Sequence, residues 1–159
     1  MPVLASEIKL FQSTNRLGGL ITPTQLVSNI LNNLFDTVSA TESRDGSVEY
    51  RCFYVKNTNL DTTLENARIE IVSNTPNTGT SIGFGIDVAI VGATAQTIVV
   101  EGAAPIGVSF QEAIGNSKSL GDLPPNSFRA VWLRRAVVAG AVASANDPIT
   151  LRVTGDTTA

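Results

Sequence analysis

Residues suited to chemistry are few in this chain, and histidine is missing altogether. Its absence removes the commonest general base, the Ser-His-Asp and Cys-His arrangements, and the commonest metal ligand. One cysteine, Cys52, stands between Arg51 and Phe53 in an apolar run. A reactive thiolate there would need a cation on its own side, and in an extended strand Arg51 points to the opposite face. Cys52 therefore reads as a small buried hydrophobe. With no second cysteine, neither an intramolecular disulfide nor a paired-thiol metal site can form. The fourteen acidic residues are scattered singly. No DxD, ExxE or DxDxDG spacing supplies a carboxylate set for Mg2+ or Ca2+, although folding could still assemble a pair. Gly83-Phe84-Gly85 lacks the spacing and the strand–turn–helix setting of a phosphate loop, and glycine within a strand marks a bulge or a close backbone approach. No catalytic residue, cofactor or metal ligand is expected, and the chain is not expected to be an enzyme.

The basic residues are most concentrated in "LPPNSFRAVWLRRAV", residues 123–137, which also carries the single tryptophan. Pro124-Pro125-Asn126 must turn, because neither proline can continue a ladder. From Ser127 the residues alternate. Phe128, Ala130 and Trp132 share one face; Arg129, Val131, Leu133 and Arg135 share the other. Arg134 and Arg135 are neighbours and so point to opposite sides. The arginines do not form one patch. Their stems are expected to lie along apolar surface with the heads reaching water.

The elements that would hold these residues are mostly strands. After "SATESRDGS" (39–47), read as a polar turn, strand candidates follow at 48–57, 67–73, 81–90, 96–100, 106–110, 127–137 and 149–155. They are short, rich in β-branched and aromatic residues, and separated by Asn, Pro, Gly and Asp, with "NTNLDTTLEN", "NTPNTGTS" and "GDLPPN" as turns. About seven strands predict an antiparallel β-sandwich. Ahead of it, residues 1–21 read as an extended arm that breaks at Gly18-Gly19. Thr22 as N-cap, Pro23 and Gln25, with Leu26, Val27, Ile30, Leu31 and Leu34 at helical spacing, predict a short helix over 23–35. Residues 1–45 thus form an arm and helix, and 46–159 the sandwich domain.

The chain has 159 residues, enough for one domain with its own core. A net charge of −3 with no basic block makes a nucleic-acid partner improbable. No apolar run approaches the 18 residues of a membrane span, and no secretory signal is visible at the start. Only 16% of residues are charged, so part of the surface is expected to be covered by other proteins. In 48–57, Tyr50, Cys52 and Tyr54 lie opposite Arg51, Phe53 and Val55. Strands apolar on both faces need cover on both sides. The 23–35 helix or a neighbouring subunit would supply it, which predicts an assembly.

Two blocks, "LFDTVSATESRDGSVEYRCFYVKNTN" with "LENARIEI", and "GDLPPNSFRAVWLRRAVVAGAVASANDPITLRVTGD", resemble a family of small virion proteins of tailed bacteriophages. The second block also resembles the closing strands of bacterial immunoglobulin-like domains: a Pro-Gly-type turn, a long strand, a loop of small residues and a last strand. Here Pro125-Asn126 replaces Pro-Gly. The resemblance implies an immunoglobulin-like sandwich in a phage particle. It implies a capsid decoration or cement protein, homo-oligomeric, bound to the major capsid protein or other virion proteins. Its place would be the virion head, after assembly in the host cytoplasm. A neck, collar or tail component is the alternative, and a host-carbohydrate-binding module a second one. On the structural reading the arm binds the partner through Lys9, Phe11, Arg16 and Leu20, with Val131 and Leu133 as further contacts.

Overall fold

The computed structural model describes residues 1–144 and 147–158; Ala145 and Asn146, in the expected small-residue loop, and Ala159 lie outside them. In chain order the strands are β1 (Ile8–Ser13), β2 (Gly18–Gly19), β3 (Ile21–Leu26), β4 (Ser47–Asn57), β5 (Leu64–Ser73), β6 (Thr80–Ile86), β7 (Ala95–Thr97), β8 (Lys118–Leu123), β9 (Phe128–Val137) and β10 (Thr150–Asp156). One short helix, α1 (Ala40–Asp45), precedes β4. The chain is mainly β, and every strand pair is antiparallel.

The centre is the β4–β9 pair, in unbroken register from Ser47↔Val137 to Lys56↔Phe128. These two segments carry the clearest alternation in the sequence. The side chains divide as the alternation requires. Phe53, Val55, Val131 and Leu133 face one way, with Ile82 and Phe84 of β6. They meet Leu64, Ala67, Ile69, Ile71, Leu120 and Leu123 of a second sheet ordered β10-β5-β8. Tyr50, Cys52, Tyr54, Ala130 and Trp132 face the other way. They are covered by Ala95, Ile98, Val108 and Phe110 from the segment after β6, clasped by the small β2–β7 pair. Each large side chain so buried contributes about 1.5–3 kcal/mol.

The result is a five-stranded sheet, β3-β1-β4-β9-β6, packed on a three-stranded one, with a two-stranded clasp on its outer face. There are ten strands among the described residues, in three sheets, rather than about seven in two. Both faces of the β4–β9 pair are covered by the chain itself. The sequence pattern therefore does not require a neighbouring subunit to cover them.

The N-terminal expectations change most. Residues 1–21 are extended, but not as a free arm: β1 lies between β3 and β4, from Ile8↔Asn57 to Gln12↔Phe53. Residue 45 divides no sheet from an arm. The helix expected over 23–35 is absent. Residues 21–26 pair with β1 instead, Leu10↔Leu26 and Phe11↔Gln25. Pro23 is tolerated because β3 is an edge strand and Pro23 falls at the register shift between Phe11↔Gln25 and Ser13↔Ile21. Beyond it, Asn29 (φ 64°) and Asn32 (φ 56°) adopt left-handed backbone, which ends any helical run. Only Leu34 of the supposed apolar stripe is buried.

The helix lies instead where a polar turn was expected. Ser39 caps it: the Glu42 N–H donates to Ser39 Oγ (3.2 Å), and the Ser39 N–H donates to Glu42 Oε2 (2.6 Å). Gly46 (φ 82°) ends it. β8, placed partly in a turn by the sequence reading, is broken by Gly121 (φ 82°), near which its register with β5 shifts. Residues 106–110 form no strand.

Candidate functional site

Of the six residues expected to bind a partner, Val131 (0% exposed) and Leu133 (4%) belong to the layer between the sheets and cannot present a contact surface. Lys9 and Phe11 are in β1, both part-buried, with the Lys56 ammonium 5.9 Å from the Phe11 ring centre. Arg16 donates from Nη1 to the Leu34 carbonyl at 3.0 Å and so pins the segment before α1. Leu20, 65% exposed, is the one of the six with a free apolar side chain. It rims a shallow groove with Leu17, Thr97, Ile98 and Val99.

The three arginines of 123–137 part company as the alternation predicts. Arg134 pairs with Glu112 at 2.5 Å and lies over Phe110. Arg129 Nη2 donates to the Asp87 carbonyl at 3.3 Å. Arg135 enters a buried ionic cluster, and there the expectation of heads in water fails.

That cluster is the densest arrangement of charged groups described in the structure. Glu49 and Arg51 are two apart on β4 and share a face; Arg135 stands directly across from Glu49 on β9. All three are buried, at 2%, 5% and 7% exposure. Phe35 and Asp36, just before α1, and Glu101, after β7, close over them. Arg135 donates to the carboxylate of Glu49 and, from Nη1, to the Asp36 carbonyl at 2.6 Å. Arg51 Nη2 donates to Glu101 Oε2 at 2.7 Å and Asp36 Oδ1 at 3.2 Å. Both guanidinium groups lie on the Phe35 ring, 5.3 and 4.8 Å from its centre.

Oxygens of Asp36, Glu49 and Glu101 come within 4.8 Å of one another, spacing that could hold a cation. The groups already among them are the two guanidiniums, which take the place of a metal ion. Burial pushes Glu49 up to about 7, against the pull of Arg135, with the nearby Glu42 carboxylate adding to the rise. With Glu49 neutral, Asp36 and Glu101 balance Arg51 and Arg135. Chemically the cluster is a tie that fastens the segments around residues 36 and 101 to the sheet. Sequence reasoning passed over it. The available signal was charge inside strands that are otherwise apolar on both faces, since such charges must pair.

A second buried network fixes the outer face. Trp132 Nε1–H donates to Asp87 Oδ1 at 2.7 Å, and Gln96 Nε2 donates to the same oxygen at 3.0 Å. Tyr54 donates its hydroxyl to the Gly19 carbonyl and accepts from the Ala95 N–H at 2.9 Å. Cys52 beside them is fully buried, and burial pushes its thiol far above the ordinary thiol range, so it is no nucleophile.

Fold and site together define a mainly β protein of layered antiparallel sheets with two hydrogen-bonded polar networks in its interior. No helix among the described residues is long and apolar enough to cross a membrane. No family model, curated protein or solved structure matches the chain.

Proposed function

We propose that this chain is a non-catalytic structural subunit of a bacteriophage particle, a capsid decoration or cement protein that binds the major capsid protein lattice of the head. The virion part of this reading rests on the two sequence blocks that resemble small phage virion proteins. The immunoglobulin-like kinship rests on the second of them, and the Pro125-Asn126 turn fits it. Asn126 takes the left-handed backbone (φ 59°) that glycine takes in a Pro-Gly turn, and the Ser127 N–H closes the turn on the Pro124 carbonyl at 3.0 Å.

The observation that carries the binding role is the apolar surface. Val99 (91% exposed), Ile106 (83%) and Val142 (79%) stand out on loops, with Leu20 and Leu31 also free. A chain with two well-filled interior layers has no internal use for them, whereas contacts between proteins do. Many such weak contacts add up on a lattice by multivalency. A homo-oligomer is part of this reading. The carbohydrate-binding alternative loses support, because none of the nine aromatic residues is more than part-exposed. A neck, collar or tail position stays as the second reading, since the same surface would serve a ring.

Co-sedimentation with phage heads lacking the protein, in parallel with isolated tails, tests the proposal. Saturable binding to heads is expected, and it should weaken in a Leu20→Glu, Val99→Glu double variant of unchanged fold. Binding to tails alone moves the protein to a ring. Binding to neither overturns the structural reading.

A further inference from the structure

Glu49 presents an unsolved accounting problem of hydrogen bonds. It is 2% exposed, and its Oε2 accepts from Arg135, but Oε1 has no donor within reach. A buried carboxylate oxygen left without a donor is costly, on the order of 1–3 kcal/mol. The polar group beside it is another carboxylate, Glu42 of α1, which lies within hydrogen-bonding reach of Glu49. Glu42 already accepts from the Ser39 N–H. Two carboxylates in contact share a proton or repel.

We propose that Glu49 and Glu42 share one proton, and that this proton is a latch holding α1 against the β4–β9 corner. Glu49 carries it and donates to Glu42; loss of the proton leaves two facing anions and frees α1. The charged groups facing Glu49 from each packed element agree with this. Arg135 comes from β9, Arg51 from β4, Asp36 from the segment before α1, Glu101 from the segment after β7 and Glu42 from α1. Two cations meet Asp36 and Glu101 as anions, so a third anion at Glu49 has no counter-charge left. Burial raises Glu49 to about 7, which puts the release near neutrality. The sign is that of a raised carboxyl: the latch is closed below that value and opens as pH rises through it.

What opens is defined by the bonds of α1. Its far side is tied to the loop after β9, Ser43 Oγ donating to the Ala141 carbonyl (2.6 Å) and the Gly140 N–H to the Ser43 carbonyl (2.7 Å). The exposed Val138 and Val142 belong to that loop. The latch therefore governs how firmly an apolar surface loop is presented.

The test uses the full chain. Carboxyl carbon NMR of the wild type should show one glutamate titrating near pH 7, assigned by its disappearance in Glu49→Gln. Amide exchange at Ser43 and Gly46, corrected for intrinsic chemistry, should lose protection about tenfold between pH 6 and pH 8. In Glu49→Gln, whose amide donates at every pH, protection should stay flat. In Glu42→Gln the Glu49 titration should move down, which keeps the test valid if the Glu49 variant does not fold. A Glu49 titration near 4.5, flat wild-type protection, or the same loss in Glu49→Gln would each overturn the latch.

Discussion

Arg135 and Trp132 sit three residues apart on one strand and point to opposite layers, and each donates to a buried carboxylate, Glu49 for Arg135 and Asp87 for Trp132. Replacing Arg135 with Met keeps most of the stem's volume but takes the donor from buried Glu49 Oε2 and leaves Asp36 and Glu101 with one guanidinium fewer to balance them. The expected loss is about 3–5 kcal/mol in urea unfolding. Adding Glu49→Gln should recover part of it, since the buried acid that lost its donor is gone; a simple sum of the two single effects would show that they do not interact. Trp132→Phe keeps an aromatic ring but removes the pyrrole part of the indole with its donor to Asp87, which is 1% exposed. About 1–3 kcal/mol should be lost, again read by urea unfolding. Asn126→Val puts a β-branched side chain at φ 59° and should cost about 1–2 kcal/mol, whereas Asn126→Gly should be nearly neutral. At this scale the sequence was partly legible. The two faces of 127–137 followed from a period of two. That Arg135 would be buried did not, because its partners are Glu49, 86 residues away, and Asp36, 99 away.

For the elements, the N-terminus is where a test bears hardest. An arm could be removed without unfolding the body, and β1 cannot. Deleting residues 1–21 takes away the strand that pairs with β4 from Ile8↔Asn57 to Gln12↔Phe53, and also β2, whose Gly19 carbonyl accepts from Tyr54. Global unfolding is the expected outcome, seen as loss of the cooperative thermal transition; a folded truncated chain would restore the arm. Gly18 shows the same integration. A Cβ there would lie 1.8 Å from the Gln96 carbonyl oxygen, so Gly18→Ala should detach the β2–β7 clasp. The misread helix has a physical cause. A short apolar run has too few turns to separate a period of 3.6 from one of two, and pairing with β1 decided the matter. The capping box Ser39–Glu42 was present in the sequence but sat in a stretch too polar to suggest a helix.

As a whole, the molecule should be most stable in mildly acidic solution. Glu7, Glu42 and Asp45 are held below their ordinary values, by Asn59, the Ser39 backbone and Arg44 respectively. Their contribution is present above the unfolded value and fades as pH falls through the folded one. Glu49 acts in the opposite sense: its contribution is complete below 4.5, the ordinary value, and gone above about 7. The two trends meet just above the ordinary carboxyl value, so the maximum falls at about pH 4.5–5, and the melting temperature across pH 3–9 would check it. Glu49→Gln should flatten the alkaline side. What the sequence determined by itself was local: a mainly β chain, the long alternating strands β4 and β9 with their two apolar faces, and the turn at Pro125-Asn126. These depend on near-neighbour geometry and on residue type. The tertiary structure alone decided what covers those faces, that residues 8–13 form an inner strand, and that Asp36, Glu49, Arg51, Glu101 and Arg135 meet. Such pairings join distant segments, and their energy comes from removing both partners from water, which no short stretch of sequence can register.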